Sequence, residues 1–385
     1  MKDSPSIKLN LPASKSINNR LLILQHLYPD RIKLKNTSSA EDTIVLKELL
    51  EQEYKGILDC KMAGTTLRFL TAYFSIQEAK TVTLTGHPRL LERPVDPLVE
   101  TLKLLGAQIE YLDKQGYPPL RISGKKLKSI EVEINADISS QFITALALIA
   151  PKLEKGLKLY FRGELVSSPY VSMTLQILKS LNIKYDYNLE HLHIKHKSDI
   201  PKREYTIEND WSAASYFIAA CALKPVQNLS LSGLSRNSWQ GDSAILNFTR
   251  SFGLNFSWNE NCLIVDSNPI KPKMMEALMA DFPDLVPTLV VLCSILKVPF
   301  RFYGVYHLKI KESDRIEALR TELEKFNVRT KFDGECLKSV DFGEMPEKAR
   351  VITHNDHRMA MAFSLYRFKC EVSFDNEEVV SKSFP

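Results

Sequence analysis

The sequence predicts an α/β fold in which one unit is used about six times. Helices with small or polar residues at their starts recur at a nearly constant interval. The markers of five of these starts lie 76, 72, 72 and 72 residues apart; they are Gly64, Ser140, Ser212, Asp284 and Asp356. A sixth start, at Ser14-Lys15-Ser16, opens the apolar run from Leu21 to Leu27. Helix N-termini offer unpaired N–H groups and the positive end of the dipole, so the repeat predicts several anion-binding ends.

A second helix in each unit supports the repeat. These helices end at residues that readily adopt left-handed backbone geometry, and a short alternating stretch of strand type follows each end. The stops are Gly106, Asn182, Gly253 and Asn327. The unit is therefore a strand, a helix, a strand and a second helix, followed by one or two more strands.

The length of 385 residues allows two or three domains with substantial cores. No low-complexity linker divides the chain, so the repeat count places the boundary. Three units on each side predict an N-terminal domain of residues 14–208 and a C-terminal domain of residues 1–13 and 209–385. We expect the strand Ile7–Leu11 to pair in the C-terminal half. Two crossings, near residues 12–14 and 208–210, would then form a hinge.

The composition is ordinary for a globular protein, for which we expect a cytoplasmic location, and its charge would suit small anionic substrates. The net charge of +5, with 51 basic and 46 acidic residues, is too mild to indicate nucleic-acid binding. The six cysteines are scattered and form no CxxC pair, which predicts free thiols in a reducing compartment and no metal site. The longest apolar run, Leu285–Leu296, is too short to cross a membrane.

Basic residues at the predicted helix starts are the sharpest functional signal. A helix dipole contributes about 0.3–1 kcal/mol to anion binding, whereas micromolar affinity needs about 8 kcal/mol. Charge-assisted hydrogen bonds of roughly 1.5–3 kcal/mol each could supply the difference. The basic side chains at marked positions are Lys15, Arg20, Arg68, Arg93, Lys311, Arg315, Arg358 and Lys382. The alternative for Arg315 and Arg358 is a capping or inter-repeat ion pair, and for Glu312 a surface pair with Lys311.

Taken together, the motifs resemble the enolpyruvyl transferase family, over the chain from about residue 10 to its end. No single motif is specific, but the ordered set is. The segments are Leu11-Pro12-Ala13-Ser14-Lys15-Ser16 with Asn19-Arg20, Ala63-Gly64-Thr65-Thr66-Leu67-Arg68-Phe69-Leu70, Glu92-Arg93-Pro94, Ser139-Ser140-Gln141-Phe142, Ser167-Ser168-Pro169-Tyr170, Asp210 to Ser215, Gln240-Gly241-Asp242, Pro283-Asp284, Lys311-Glu312-Ser313-Asp314-Arg315 and Asn355-Asp356-His357-Arg358-Met359-Ala360.

The resemblance implies two similar domains, each of three βαβαββ units, in the inside-out α/β barrel arrangement of that family. It further implies transfer of the enolpyruvyl group of phosphoenolpyruvate to the 5-hydroxyl of shikimate 3-phosphate, with release of phosphate. The family needs no metal and no organic cofactor. We expect a monomer that binds these two small molecules and neither nucleic acid nor membrane.

The resemblance also implies the binding residues. Shikimate 3-phosphate would contact Lys15, Ser16, Arg20, Ser139, Ser140, Gln141, Ser167, Tyr170, Asp284, His307 and Lys311. Phosphoenolpyruvate would contact Lys15, Gly64, Arg93, Gln141, Arg315, Arg358 and Lys382.

The reaction needs a base on the attacking hydroxyl and an acid that protonates the enol carbon. Asp284, at a helix start, is the candidate base. Glu312 is the candidate proton donor and later acceptor at the methylene carbon, and Lys15 and Lys311 would assist.

The chain departs from the family pattern in three places. Lys61-Met62 stands where the family has Gly and a small or amide residue, and Met62 cannot donate a hydrogen bond to phosphate. His307 replaces an Asn that often contacts the shikimate phosphate. The sequence ends at Pro385, so we expect Lys382 to lie on a frayed terminus.

Two alternatives stay open at this point. The sister family that acts on UDP-N-acetylglucosamine normally carries a reactive Cys in the loop before the Arg-Pro pair, and residues 87–92 contain none. A catalytically weak or inactive binding protein of the same fold is the other alternative.

Overall fold

The structure is a computed structural model that describes residues 7–52, 56–128, 130–382 and 384. The α-helices are α1 (Lys15–Leu27), α2 (Glu41–Glu51), α3 (Gly64–Ser75), α4 (Pro88–Leu91), α5 (Asp96–Leu104), α6 (Ser140–Ile149), α7 (Ser168–Ser180), α8 (Trp211–Cys221), α9 (Ile245–Thr249), α10 (Val286–Ile295), α11 (Arg315–Glu324) and α12 (His357–Phe363).

The strands are β1 (Lys8–Asn10), β2 (Ile32–Lys35), β3 (Gly56–Asp59), β4 (Thr81–Thr85), β5 (Gln108–Tyr111), β6 (Leu120–Ser123), β7 (Glu131–Asn135), β8 (Leu157–Arg162), β9 (Tyr185–Tyr187), β10 (His191–Ile194), β11 (Arg203–Thr206), β12 (Val226–Ser232), β13 (Leu254–Asn259), β14 (Cys262–Ser267), β15 (Met275–Leu278), β16 (Phe300–Tyr303), β17 (Val328–Phe332), β18 (Leu337–Phe342), β19 (Lys348–Val351) and β20 (Glu371–Phe374).

The chain divides into two compact units. The N-terminal domain is Lys15–Ile207, and the C-terminal domain consists of Met1–Ser14 and Glu208–Pro385. Of the first segment, residues 1–6 lie outside the described residues. The two chain crossings run side by side, because Ser14 N–H donates to the carbonyl of Glu208 and Asp210 N–H donates to that of Pro12, both at 2.8 Å.

Four four-stranded sheets share one topology, which confirms the predicted α/β unit. Their orders are β3-β4-β6-β5, β7-β8-β10-β9, β1-β12-β14-β13 and β15-β16-β18-β17. In each, the first two strands are parallel and the last two form an antiparallel hairpin. Strand β1 pairs with β12 from Lys8↔Ser230 to Asn10↔Ser232, as predicted for an N-terminal strand that belongs to the C-terminal half.

The third unit of each domain is shorter, with two parallel strands: β11-β2 in the N-terminal domain and β19-β20 in the C-terminal domain. In the N-terminal domain the reason is length. Helix α2 ends at Glu51 and β3 begins at Gly56, so the intervening residues cannot form a hairpin. Among the described residues, β2 therefore pairs on one edge only, whereas a hairpin pairs with the second edge of the corresponding strand in the four-stranded sheets.

The predicted helix stops are confirmed. Gly106, Asn182, Gly253 and Asn327 have φ values of 97°, 60°, 86° and 57°. The helix that was predicted to end at Gly253 is a short α9 between two 3-10 turns, Gly241–Ala244 and Arg250–Phe252. Helix α10 begins at Val286, two residues after Asp284.

The first helices of the units form the cores of the two domains. All ten residues of α10 are buried, and α3, α6, α8 and α12 are buried on nearly all sides. Helices that are apolar around their whole circumference fit only in an interior. The polar starts of these helices lie at one end of each core. All six cysteines are free thiols, and no helix in the described residues is long and apolar enough to cross a membrane.

Candidate active site

In the N-terminal domain, Arg20 joins the starts of α1 and α7. Its guanidinium is 3 % exposed and donates to Thr174 Oγ1 at 2.8 Å, to the Ser16 carbonyl at 2.7 Å and to the Tyr170 carbonyl at 3.1 Å. Burial lowers the pKa of Arg20 to about 10, and Tyr170 partly offsets this. The side chain therefore stays cationic at neutral pH, beside the predicted ligands Ser16 and Tyr170.

Gly64 lies where two guanidinium groups approach the first residue of α3. A Cβ at this position would overlap the side chains of Arg93 and Arg68. Arg68 is held by the carbonyls of Gly64 (3.0 Å) and Pro94 (3.2 Å) and lies over the ring of Phe142. Glycine therefore allows two buried cations to approach a helix N-terminus. Arg68, which was not among the predicted ligands, belongs to this group.

The start of α6 contacts the start of α3. Ser139 caps α6 by accepting the Gln141 N–H, and Gln141 Nε2 donates to Thr65 Oγ1 at 3.2 Å. Ser140 is buried at the first helical position.

Ser167, which precedes α7, has left-handed backbone geometry with φ of 56°. Its Oγ is buried and has no hydrogen-bond partner among the described residues. Non-glycine residues in this region are strained and concentrate at functional sites. The unmatched hydroxyl fits the predicted role of Ser167 as a phosphate ligand.

Lys15, at the first position of α1, forms an ion pair with Asp42. Its Nζ lies 3.0 Å from Asp42 Oδ2, and both side chains are 14 % exposed. The Asp42 carbonyl also accepts the hydroxyl of Thr66, so three helix starts meet at this residue. Sequence reasoning missed Asp42, because an acid in the first turn of a helix is common on surfaces.

In the C-terminal domain, Arg315 links three carboxylates. Its guanidinium is 1 % exposed and donates to Asp356 Oδ2 at 2.7 Å, to Asp284 Oδ1 at 3.0 Å and to Glu312 Oε2 at 2.6 Å. Burial opposes the charge, but the negative charges of Asp356, Glu312 and Asp284 outweigh it and raise the pKa of Arg315. The candidate base and the candidate proton donor therefore share one guanidinium.

Arg358 closes the same cluster. It donates to Asp284 Oδ2 at 2.6 Å and to the hydroxyl of Ser212, and its backbone N–H is capped by Asp356. Both arginines thus form inter-repeat ion pairs, which was the alternative considered for them. Glu312, for which a surface pair with Lys311 was the alternative considered, accepts a hydrogen bond from Arg315.

Asp242 is a further acidic group in this region. It is 7 % exposed, and its burial and the negative charge of Asp284 raise its pKa to about 7, against the opposing effect of Arg358. The sequence signal was the Gln240-Gly241-Asp242 motif, to which no role was assigned.

Lys382 is anchored, and the expectation of a frayed terminus was wrong for it. It lies in the 3-10 helix Glu378–Lys382, is 8 % exposed, and its Nζ donates to the carbonyl of Asn355 at 2.6 Å. This contact holds the ammonium group beside the start of α12.

His307 is buried in the 3-10 helix Tyr306–Ile310. Burial, followed by the positive charge of Lys311, lowers its pKa to about 3, so the ring is neutral at pH 7. A neutral imidazole can still donate one hydrogen bond to a phosphate.

The lowered pKa of His307 makes stability sensitive to acid. The unfolded chain binds a proton at this ring below about pH 6.5, and the folded chain does not, so stability falls as the pH drops from 6.5 toward 3. We expect His307→Asn to lose less stability between pH 7 and pH 5 than the parent, by up to about 2 kcal/mol. Urea unfolding at the two pH values measures this difference; an equal loss in both proteins would contradict it.

The structure thus brings the predicted ligands together as two sets. The first set, in the N-terminal domain, contains Lys15, Ser16, Arg20, Gly64, Arg93, Ser139, Ser140, Gln141, Ser167 and Tyr170. The second, in the C-terminal domain, contains Asp284, His307, Lys311, Glu312, Arg315, Arg358 and Lys382. In the described part of the chain, no group of three or more His, Cys, Asp or Glu side chains is arranged to hold a metal ion.

Comparison with known proteins accounts for this arrangement. The profile of the family described as EPSP synthase (3-phosphoshikimate 1-carboxyvinyltransferase) matches residues 4–385. The chain belongs to the EPSP synthase family. A 3-phosphoshikimate 1-carboxyvinyltransferase of Bacteroides fragilis (strain YCH46) is 40% identical over 380 residues, which cover 98% of this chain and 92% of the relative. One from Shewanella woodyi is 33% identical over 405 residues, covering 98% and 94%.

Solved structures of an EPSP synthase and of another enolpyruvyl transferase share the fold. EPSP synthase from Acinetobacter baumannii superposes with a TM-score of 0.75 at 18% identity, covering 99% of this chain and 94% of the other. The enolpyruvyl transferase NikO from Streptomyces tendae gives a TM-score of 0.72 at 14% identity, covering 99% and 92%. The two-domain α/β class predicted from the sequence is confirmed.

Proposed function

We propose that the chain transfers the enolpyruvyl group of phosphoenolpyruvate to the 5-hydroxyl of shikimate 3-phosphate and releases phosphate, as a 3-phosphoshikimate 1-carboxyvinyltransferase. Membership of the EPSP synthase family supports this reaction, within aromatic amino acid biosynthesis by the shikimate pathway. The roles of individual residues are our own assignment, based on the geometry of each domain.

Shikimate 3-phosphate would bind mainly to the N-terminal domain. Ser139, Ser140 and Ser167 lie at the starts of two helices, where hydroxyl and backbone N–H donors suit a phosphate. The buried cation Arg20 adds charge without a mobile side chain, because three acceptors already fix its guanidinium. Gln141 lies between the starts of α3 and α6 and would contact both substrates.

Phosphoenolpyruvate would bind to cations at helix starts. Arg93 is packed against Gly64, and Arg315, Arg358 and Lys382 surround the starts of α11 and α12. Asp284, Glu312 and Asp356 balance the charges of Arg315 and Arg358, and the Asn355 carbonyl accepts a hydrogen bond from Lys382. The carboxylate and phosphate of the substrate would take over part of these contacts, each worth roughly 1.5–3 kcal/mol.

The chemistry is an addition followed by an elimination. Asp284 accepts the proton of the attacking hydroxyl while Glu312 protonates the methylene carbon, which gives a tetrahedral adduct. Glu312 then removes a proton from that carbon as the C–O bond to phosphate breaks and the enol double bond forms again. The proton that Asp284 took from the hydroxyl leaves with the phosphate, which restores both carboxyl groups. Lys15 and Lys311 stabilise negative charge on the phosphates, and Lys15 must exchange its contact with Asp42 to do so.

One observation carries the assignment of the catalytic residues: Asp284 and Glu312 both accept hydrogen bonds from the guanidinium of Arg315, at 3.0 and 2.6 Å. A base and an acid on a single rigid cation keep a fixed separation, which the two proton transfers require.

Phosphate release with both substrates tests the proposal. We expect release that needs shikimate 3-phosphate and phosphoenolpyruvate together, and none with UDP-N-acetylglucosamine as acceptor. Tight binding of both substrates without release would instead indicate the inactive binding protein. The monomeric state, the cytoplasmic location and the hinge near residues 12–14 and 208–210 stay predictions.

Gly64→Ala should impair phosphoenolpyruvate use, because the added methyl group must displace Arg93 or Arg68. We expect the KM for phosphoenolpyruvate to rise about tenfold, equivalent to about 1.4 kcal/mol, with a smaller change for shikimate 3-phosphate. Steady-state kinetics with each substrate varied in turn measures this. Equal changes in both KM values would remove the specific role of Gly64.

A further inference from the structure

The N-terminal domain contains a groove beside the open edge of β2. In the four complete sheets the second strand is paired on both sides, whereas β2 pairs only with β11 among the described residues. A groove of about 600 Å³ is lined by residues of β2, α1 and α2 and of the loop that joins β2 to α2. None of the proposed substrate ligands lines it.

An unmatched donor lies at the floor of this groove. Asn18 on α1 is fully buried, and its Oδ1 accepts the N–H of Ser38 at 2.8 Å. Its Nδ2 has no hydrogen-bond partner among the residues that the structure describes. A buried donor left unmatched costs roughly 1–3 kcal/mol, so an acceptor on a bound molecule would be favoured here.

The wall of the groove is apolar. Leu22 and Leu34 line it from α1 and β2, and Ile44 lines it from α2. Ile44 is 45 % exposed, although the other aliphatic residues of α2 are all buried: Val45, Leu46, Leu49 and Leu50. An apolar group in the groove would cover Ile44 and gain about 25 cal/mol for each Å² removed from water.

The rim carries both signs of charge. Lys47, Glu48 and Glu51 follow Ile44 along one face of α2, at the three- and four-residue spacing of helix neighbours, and Lys33 lies on β2. Lys47 is 3.9 Å from Glu51, and Lys33 is 3.3 Å from Glu204. Exposed pairs of this kind contribute about 0–1 kcal/mol, so a ligand can replace them at little cost.

We propose that this groove binds a free amino acid with a large apolar side chain. The carboxylate would accept from Asn18 Nδ2 and lie near Lys33 and Lys47, and the ammonium group would lie near Glu48 and Glu51. The side chain would lie against Leu22, Leu34 and Ile44. The groove combines a hydrogen-bond donor, side chains of both charges and an apolar wall. A zwitterion with an apolar side chain could use all three, whereas a simple anion or a hydrocarbon could not.

Isothermal titration of the full chain with L-leucine and L-phenylalanine tests the proposal. We expect at least one to bind with a Kd of about 1 mM or below. The matching carboxylic acids without the amino group, 4-methylpentanoate and 3-phenylpropanoate, should bind at least tenfold more weakly. No binding of either amino acid, or equal binding of the acids, would overturn the proposal.

Two variants locate the site. Ile44→Lys and Glu48→Lys should each weaken binding at least tenfold without lowering the melting temperature, because both side chains are exposed. Leu189→Lys is the matched control, since Leu189 is 88 % exposed in the same domain and outside the groove. Unchanged affinity in Ile44→Lys would contradict the assignment. Phosphate release is a separate readout, so failure here leaves the proposed reaction untouched.

Discussion

Replacing Glu312 by Gln lowers turnover by about 10²–10⁴-fold and leaves the affinity for shikimate 3-phosphate within about twofold. The amide keeps the size of the side chain and can still accept a hydrogen bond from Arg315. It cannot give a proton to the methylene carbon or take one from it. Rapid-quench measurement of product formation, together with titration of shikimate 3-phosphate, separates the chemical step from binding.

Glu317→Gln is the matched control for Glu312→Gln. Glu317 is an acid in the first turn of α11, the helix that follows Glu312, but it pairs with Arg320 and its side chain is 62 % exposed. We expect unchanged turnover in this variant. A loss of shikimate 3-phosphate affinity in Glu312→Gln as large as its loss of turnover would assign Glu312 to binding and not to proton transfer.

Replacing Arg315 by Met destabilises the C-terminal domain by about 3–5 kcal/mol. The guanidinium is 1 % exposed and is the common partner of Asp284, Glu312 and Asp356. Methionine fills part of the space but leaves buried carboxylates, above all the fully buried Asp356, without their cation. Urea unfolding followed by fluorescence measures the free energy of unfolding of both proteins.

Arg320→Met tests whether the effect is specific to the buried position. Arg320 lies on the same helix, is 34 % exposed and forms a single ion pair with Glu317. We expect a change of no more than about 1 kcal/mol. If Arg315→Met also changed the free energy of unfolding by less than 1 kcal/mol, Arg315 would not be the structural centre of the acidic cluster.

Local signals in the sequence were sufficient for the repeat. Small and polar residues before apolar helices located the starts at Gly64, Ser140 and His357, and the four Gly and Asn stops have positive φ values. Helix starts and stops depend on the backbone geometry of a few neighbouring residues. The identity of those residues largely determines this geometry. The prediction for β1 was correct because this strand precedes the first unit and needs a pairing partner in the other half of the chain.

The partners of the charged residues could not be predicted in the same way. Arg315 pairs with residues 31 and 41 positions away, and Lys15 with Asp42, 27 positions away. Which cation meets which carboxylate depends on how the helix starts pack, and local sequence does not specify that. The resemblance gave the members of the site, whereas the structure gave the ion pairs that the substrates must displace.

The shortened third units were also missed. A repeat inferred from helix starts and stops does not count the strands of each unit. The sequence signal was the short spacing between α2 and β3, which leaves no room for a hairpin. The open edge of β2 and the proposed amino acid groove both result from this short spacing.

A crystal structure of Glu312→Gln with shikimate 3-phosphate and phosphoenolpyruvate would show directly whether the two substrates bind to the residues proposed for them. We expect the phosphate of shikimate 3-phosphate to contact Ser139, Ser140 and Ser167, and phosphoenolpyruvate to contact Arg93, Arg315 and Arg358. We also expect the 5-hydroxyl to lie within hydrogen-bond distance of Asp284. Both ligands bound away from these side chains, with the Arg315 cluster unchanged, would contradict the proposal.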